Sequence, residues 1–270
     1  MPDSPLAAFA DYHTHTPLCR HAEGWPVDYA RVAVGLGLGE LGFADHNPMP
    51  EQFDDWRMLR EELPRYFEAV AEARELFPRL PIRLGLECDF IPGREKWIEE
   101  LAGLADWDFL IGSVHYLPQG WEVDHPRYVG RHEGHAEEIW RDYWRLYGDC
   151  IRSGFFDFVA HPDLPKKFGI TPAGDLRRFY EPAVAALAET GVAFEMNTAG
   201  LRRDCREIYP ARPFLELAFE AGVPMLINSD AHTPGDVGAG FGEAIAIAKE
   251  VGFTHTLRFE RRRRTAVPMA

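Results

Sequence analysis

A chain of 270 residues, 46% of them hydrophobic, can bury one large core, as a single barrel-sized domain or as two small ones. Its net charge of −14 argues against a surface that coats nucleic acid. Because no run of 18 uncharged apolar residues and no secretory signal pattern is present, we expect a cytoplasmic protein that does not span a membrane. The four cysteines are widely spaced and contain no CxxC pair, as is typical of reduced thiols.

Short apolar segments alternate with amphipathic segments along the whole chain. The segments that predict strands are 8–14, 41–47, 82–90, 109–116, 156–163, 192–198 and 224–232. The segments that predict helices are 28–38, 51–78 with a kink or second start at Pro64, 94–104, 133–154, 181–191 and 213–222. Seven β/α units without a linker favour a closed α/β barrel over a doubly wound open sheet, with residues 1–270 as one domain.

Polar side chains follow the apolar part of nearly every predicted strand. In the first segment, "DYHTHTPLCRH", His13 and His15 are two positions apart, so both project to one face of an extended chain. A lone HxH pair is more often a pair of surface histidines than a metal site. Other strand ends, however, contribute His21, Asp45, His46, Glu87, His115, His161, Asp230 and His232. In an α/β barrel these ends share one mouth, and the sequence therefore predicts a metal site there.

Six of these segments resemble a known family. "DYHTHT", "FADH", "GLECDF", "GSVHY", "VAHPD" and "NSDAH" are similar to the motif set of the PHP (polymerase and histidinol phosphatase) superfamily. "GLECDFIPG", "GSVHYL" and "EMNTAGLRR" resemble its histidinol-phosphate phosphatase branch more narrowly. The resemblance runs from about residue 9 to residue 242 in motif order. It implies a distorted (β/α)7 barrel with a trinuclear metal site that hydrolyses L-histidinol phosphate in histidine biosynthesis.

The resemblance also implies a set of ligands for three divalent ions, Zn, Fe or Mn. The first ion would bind His13, His15, Glu87 and Asp230; the second Glu87, His115 and His161; the third His21, His46 and His232. Imidazole and carboxylate suit these metals. Two carboxylates against three divalent ions leave about four positive charges, which favours a phosphate dianion and a bridging hydroxide as nucleophile.

Two loops supply candidate groups for the substrate. Arg202 and Arg203 could grip a phosphate, Lys166 and Lys167 add positive charge, and Asn197 is a candidate orienting amide. A small-molecule phosphomonoester is the expected partner. The amine of histidinol phosphate needs an anionic or aromatic rim, for which the sequence offers Trp56, Trp121, Glu122 and Asp124 without choosing among them.

The remaining candidates have weaker support. Asp45 is a guess for the group that protonates the leaving alkoxide, and Asp11 either orients a ligand imidazole or caps a turn. We interpret Cys19 as a packed or solvent-facing thiol rather than a ligand. The histidines outside every motif are expected at the surface: His125, His132, His135 and His255. "ERRRR", residues 260–264, is expected to be a solvated tail or the edge of a last strand.

Other functions remain open at this point. Within the superfamily, the alternatives are a phosphoesterase for another small monoester or nucleotide, and less plausibly an exonuclease, since a charge of −14 repels DNA. An amidohydrolase or deaminase barrel also begins with HxH but commonly uses fewer ions. A catalytically silent metal-binding module is the alternative from another class.

Overall fold

Seven parallel strands, each hydrogen-bonded to the next in chain order, form a nearly closed barrel in the computed structural model, which describes residues 4–269. The strands are β1 Ala10–Asp11, β2 Glu40–Phe43, β3 Ile82–Asp89, β4 Phe109–Ser113, β5 Phe158–Val159, β6 Ala193–Asn197 and β7 Met225–Asn228. Each lies within a segment for which the sequence predicts a strand, apart from the first residue of β2. The predicted (β/α)7 barrel is confirmed.

Helices lie between the strands and cover the outside of the barrel. They are α1 Pro26–Leu36, α2 Leu63–Leu76, α3 Glu95–Ala102, α4 Val129–His132, α5 Ala136–Arg152, α6 Arg177–Thr190, α7 Arg212–Glu220 and α8 Phe241–Val251. The helix predicted over 51–78 is wrong for residues 51–59, which form an irregular loop, and α8 was not predicted. Among residues 4–269, no helix has the length and apolar character needed to cross a membrane.

The strands are buried on both faces, which explains their near-continuous apolar sequence. Their outward side chains join the helices in the larger core cluster. Their inward side chains form a second cluster, which fills the barrel: Ala10, Tyr12, Ala44, Phe109, Ile111, Phe158, Ala160, Ala193 and Leu226, with Leu257 and Phe259 from the C-terminal segment. The barrel is thus a packed core and not a channel.

The barrel closes where the segment after β7 meets the segment after β1. Ala231 pairs with this first segment, because its N–H donates to the His13 carbonyl and its carbonyl accepts from the His15 N–H, both at 3.0 Å. Below this pair, the Asn228 side-chain oxygen accepts from the Tyr12 N–H at 2.8 Å. The closing seam therefore lies directly beside the candidate ligands of both segments.

A C-terminal β-hairpin fills the opposite, amino-terminal end of the barrel. Its strands are β8 His255–Glu260 and β9 Arg263–Pro268. Phe259 enters the barrel interior, and its N–H donates to the Tyr12 hydroxyl at 3.0 Å. This hairpin is called the base plug below.

The arginine-rich segment 260–264 is not a solvated tail. Arg262 pairs with Asp157 and donates to the Phe155 carbonyl at 2.5 Å, and its N–H donates to the Asp108 carbonyl at 2.9 Å. These partners immediately precede β5 and β4, so the arginine anchors the base plug to the amino ends of the strands. The segment is therefore not a free tail, but it joins the ends of β8 and β9, which agrees with the alternative of a last-strand edge, and apart from the half-buried Arg262 its residues are exposed.

Candidate metal centre

All nine predicted ligands converge on the carboxyl-terminal mouth of the barrel. Seven of them line a cavity of about 220 Å³: His21, His46, Glu87, His115, His161, Asp230 and His232. His13 and His15 are fully buried beneath it. They lie in or after six of the seven strands, so the parallel barrel brings together residues that are up to about 220 positions apart.

Glu87 lies at the centre of this group. Its Oε2 is 2.8 Å from His46 Nδ1 and 3.3 Å from His13 Nε2. Its Oε1 is 3.1 Å from His161 Nε2 and 3.7 Å from His115 Nε2. One carboxylate on β3 thus faces four imidazoles from four other segments, which is the arrangement expected of a carboxylate that bridges ions.

Asp230 and the histidine pair His21 and His232 complete the group. Asp230 Oδ1 is 3.2 Å from His15 Nε2 and 3.7 Å from His13 Nε2. His21 Nε2 and His232 Nε2 face each other at 3.0 Å. Asp230 adopts a positive φ of 52°, a conformation that Asp tolerates better than most residues and that persists where the surroundings require it.

The donor atoms fit divalent metal ions. Several buried polar atoms at the mouth, which include His13 Nε2, His46 Nδ1 and Glu87 Oε2, lie near one another but form no hydrogen bond with any described residue. Such atoms are costly to bury unless a ligand satisfies them. Among the described residues, donor groups lie within 4.8 Å of one another in sets that include His21/His46/His232, His13/His15/Glu87, His13/His161/Asp230 and His46/Glu87/His115. Nitrogen and oxygen donors at this spacing suit Zn, Fe or Mn.

The carboxylates at the mouth are held in the form that binds cations. Burial alone would raise the pKa of Glu87 and Asp230, but the surrounding histidines outweigh it and hold both pKa values well below their usual range. Burial, reinforced by the charge of His15, holds the pKa of His232 well below its usual range, and burial lowers the pKa of His46 to about 3. The neighbouring carboxylates instead outweigh burial at His13, His15 and His115 and raise the pKa of these imidazoles, so a bound cation would have to displace their protons.

Two carboxylates that the sequence analysis missed orient the imidazoles. Glu195 lies 3.0 Å from His13 Nδ1 and accepts from the His161 N–H at 2.8 Å. Asp89 Oδ1 lies 2.8 Å from His115 Nδ1. Both are buried in strands, Asp89 two positions after Glu87, and the period-2 alternation that places Asp89 on the face of Glu87 was the available signal. Carboxylates at the far nitrogen of a ligand histidine fix its tautomer and direction.

Asp45 and Asp11 are fully buried, and neither lines the cavity. Asp45 accepts from the Thr16 hydroxyl and from the His46 N–H, the latter at 3.0 Å, so its geometry suits an orienting role and not a proton donor to substrate. Asp11 accepts from the N–H groups of Ser229 and Gly238, both at 2.9 Å, and thereby fixes the loops after β7 instead of an imidazole.

The predicted substrate groups divide into two sets. Arg203 and Lys167 line the cavity. Arg202 instead donates to the Ser229 carbonyl at 2.8 Å, and Lys166 is buried against Glu207 at 2.7 Å. The Asn197 amide donates to Glu195 at 2.7 Å and to Asp230 at 3.1 Å, so it orients the carboxylates at the mouth. The expectation that Lys166 contributes a loop cation at the mouth is wrong, because its ammonium group is buried and paired with Asp163 at 3.3 Å as well as with Glu207.

A second cavity of about 250 Å³ adjoins the first and shares His21, His46, His115, Asp124 and Lys167 with it. Its other walls include Asp55, Trp56, Glu122 and His125. Three of the four rim candidates therefore line it, and Trp121 does not.

The expectation of a surface position is wrong for His132, which is buried, with its Nε2 2.8 Å from the Val123 carbonyl.

Cys19 is buried near His15 and His232, within 4.8 Å of a donor atom of each. Burial raises the pKa of its thiol, and a protonated thiol is a poor ligand. The rings of His15 and His232 are stacked with their centroids 4.1 Å apart, a geometry that directs neither lone pair at an ion between them. The interpretation of Cys19 as a packed thiol stays a prediction.

Comparisons with known proteins agree with this arrangement. The sequence model of the PHP domain family matches residues 11–199. The chain is 43% identical to the probable histidinol-phosphatase of Deinococcus radiodurans over 261 residues, which cover 96% of this chain and 99% of that protein. It is 28% identical to the histidinol-phosphatase of Bacillus subtilis, over 84% of this chain and 95% of that protein.

Solved structures share the fold. The histidinol phosphate phosphatase of Lactococcus lactis, crystallised with zinc, L-histidinol and phosphate, superimposes with a TM-score of 0.81 at 22% identity. The match covers 96% of this chain and 99% of that chain. At this identity the likeness establishes the barrel and its strand order, while the residues at the mouth stand on the geometry described above.

Proposed function

Because the chain belongs to the PHP domain family and is a metal-dependent phosphatase, we propose that it hydrolyses L-histidinol phosphate to L-histidinol and inorganic phosphate. The observation that carries the proposal is the pair of adjoining cavities at the mouth: the first has Arg203 and Lys167 beside the candidate metal ligands, and the second adds Trp56, Asp55 and Glu122. The same reaction is the one for which the Deinococcus and Bacillus relatives are named.

The nine mouth residues would hold up to three divalent ions, zinc among them, in the sets that the family resemblance implies. When bound, such ions supply a nucleophilic water at neutral pH and neutralise charge on the phosphoryl oxygens. The chain's own contribution is to orient the ligands: Glu195 fixes His13, Asp89 fixes His115, and Asn197 holds Asp230.

The two cavities match the two ends of the substrate. Arg203 and Lys167 face the first cavity, where they would bind the phosphate dianion. Lys167 is fixed by Asp124, whose carboxylate lies 2.8 Å from its Nζ. The other end of histidinol phosphate carries an ammonium group and an imidazole, which the Glu122 carboxylate and the Trp56 ring of the second cavity would accept.

The proposal extends to the protein as a whole. Residues 1–270 would act as one catalytic unit, in the cytoplasm and in histidine biosynthesis, with a small-molecule phosphomonoester as the partner. A nucleoside monophosphate would fit less well, because its uncharged nucleoside offers no cation to the acidic second cavity.

The test is phosphate release from L-histidinol phosphate beside AMP, a sugar phosphate and p-nitrophenyl phosphate, each with metal-loaded and chelator-stripped protein. We expect a kcat/KM for histidinol phosphate at least about a hundredfold above the others, roughly 2.7 kcal/mol of transition-state binding, and loss of turnover on stripping. Even cleavage of all four esters would contradict the substrate assignment and leave a general phosphoesterase. An absence of phosphate from every ester with metal bound would contradict phosphatase chemistry altogether.

A further inference from the structure

We propose that Arg57 is a positioning residue that ties one candidate metal ligand, His115, to the wall of the second cavity. This inference rests on the proposed function for the roles of the mouth and the cavity. Arg57 lies in the loop 51–59, a segment without regular structure, yet it is 2% exposed and is among the largest fully buried side chains of residues 4–269. A buried guanidinium in an irregular loop requires partners.

Every nitrogen of the guanidinium is engaged. Nε donates to Asp54 Oδ2 at 2.7 Å, and Nη2 donates to Asp89 Oδ2 at 2.8 Å. Nη1 donates to the Asn47 main-chain carbonyl at 2.9 Å and to its side-chain oxygen at 3.2 Å. These contacts use the fork geometry of arginine, which the single ammonium group of lysine does not reproduce.

One branch leads to the metal centre. Asp89 uses its second oxygen, Oδ1, to hold His115 Nδ1 at 2.8 Å, while Arg57 holds Oδ2. The Asn47 side-chain oxygen also accepts the Asp89 N–H at 3.0 Å, so Asn47 fixes the main chain of Asp89 while Arg57 fixes its carboxylate. The direction of the His115 ring therefore depends on a guanidinium two contacts away.

The other branch leads to the second cavity. Asp54 Oδ2 accepts from the Tyr116 hydroxyl at 2.7 Å, and the Trp56 indole N–H donates to Tyr116 Oη at 3.1 Å and to Glu122 Oε1 at 3.0 Å. The guanidinium also lies over the Trp56 ring, 4.3 Å from its centroid. Trp56 and Glu122 are walls of the second cavity, so the same cation fixes both the wall and the ligand.

The simpler explanation is that Arg57 only stabilises the fold, since buried ion pairs are weak evidence for function. The two explanations differ in what a conservative change should do. A purely structural arginine, once replaced in a protein that still folds, leaves metal affinity and KM unchanged. A positioning arginine changes both, through separate branches.

The experiment compares Arg57→Lys, Asp54→Asn and the control Arg65→Lys, with folding checked by circular dichroism. Arg65 also stacks on a tryptophan, 4.6 Å from the Trp25 ring centroid, but it is exposed and outside the network. Metal affinity is measured by chelator competition, and the visible absorption of the cobalt(II) protein reports ligand geometry. Neither readout needs substrate, so both remain informative if histidinol phosphate is not the substrate.

We expect Arg57→Lys to weaken metal binding about 10- to 100-fold and to alter the cobalt spectrum. Losses of this size are typical when a group that orients a ligand histidine is changed. Asp54→Asn leaves Arg57 paired one-to-one with Asp89, so it should fold and keep the metal affinity. Its KM for the best phosphomonoester should rise about tenfold, as for the loss of a hydrogen bond to a charged group, with kcat nearly unchanged. Arg65→Lys should match the parent in every measurement.

A folded Arg57→Lys variant with parental metal affinity and cobalt spectrum would overturn the proposal. If Arg57→Lys does not fold, Asp54→Asn decides: an unchanged KM would contradict the coupling, and a raised KM with unchanged metal affinity would support it.

Discussion

The two ends of the barrel are made by the same seven strands, yet their polar groups are arranged in opposite ways. At the carboxyl-terminal mouth, buried atoms of His13, His46 and Glu87 lack hydrogen-bond partners. At the amino-terminal end, the base plug pairs Arg262 with Asp157 and directs Phe259 into an aromatic interior. Polar groups at the mouth are left for a ligand to satisfy, whereas Arg262 and Asp157 at the base satisfy each other.

This difference assigns the chemistry to the mouth of the barrel and the stability of the fold to its base. Changes at the mouth should alter turnover and metal binding, and changes at the base should alter the free energy of unfolding. The four predictions below test that separation, from the largest expected effect to the smallest.

Removing the charge of Glu87 tests the mouth. Glu87→Gln should lower kcat/KM by at least about a thousandfold, ~4 kcal/mol of transition-state stabilisation, and should reduce the bound metal, because one carboxylate faces four histidines. Steady-state kinetics and elemental analysis measure both effects. Glu260→Gln makes the same change at the base, where the side chain is 67% exposed, and should leave both values as in the parent.

Removing the Phe259 ring tests the base. Phe259→Ala should lower the free energy of unfolding by about 3–5 kcal/mol, since the ring is 1% exposed and lies 5.4 Å from the Phe158 ring, centroid to centroid. Denaturant unfolding measures this loss, and kcat and KM should stay as in the parent. Val267→Ala on the half-buried face of β9 is the milder control. A large change in KM for Phe259→Ala would contradict the separation of the two ends.

Metal removal tests whether the mouth and the base contribute independently to the free energy of unfolding. The ions bind the folded chain and thereby stabilise it. If the free metal concentration is a hundred times the Kd of a site, a chelator should lower the apparent free energy of unfolding by about 2.7 kcal/mol for that site. The loss should be equal in the parent and in Phe259→Ala, since distant perturbations add. A chelator effect that differs between the two proteins would show that the base and the mouth are coupled.

The smallest effect concerns pH. Burial raises the pKa of Asp157 above its usual value, although Arg262 and the Leu110 N–H lower it in part. The folded chain therefore binds the proton more tightly than the unfolded chain, and the free energy of unfolding should decline slightly as pH rises from about 4 through the raised pKa. Asp157→Asn should remove this decline, and Asp106→Asn, an exposed carboxylate at the same end, should not. A decline of equal size in Asp157→Asn would contradict the assignment.

The sequence predicted the mouth well because barrel topology and residue type gave the same answer. Each candidate ligand stood at the end of an apolar segment, and parallel strands bring such ends together. Glu195 and Asp89 escaped notice because their partners come from other strands: the alternation with Glu87 places Asp89 on the ligand face but does not show which imidazole it holds. Their roles required the three-dimensional pairing of strands that sequence spacing does not supply.

The loop 51–59 and the base plug show a second limit. Residues 51–59 carry helix-forming types, but Arg57 gains four hydrogen bonds in an irregular path, and this tertiary gain overrides local propensity. The arginines of 260–264 resembled a solvated run because their partners, such as Asp157, lie about a hundred residues away. Charge patterning along the chain cannot report contacts at that separation.

The seam between the first and last strands has a consequence for synthesis. His13 and His15 leave the ribosome before Asp230, which lies 3.2 Å from His15 in the folded chain and follows it by 215 residues. Since the ribosome releases the N-terminal part first, the emerging chain displays part of the mouth before the rest exists. An ion captured early would meet an incomplete set of donors and a barrel without its closing strand. The candidate metal centre thus cannot assemble until β7 has been made and has joined β1.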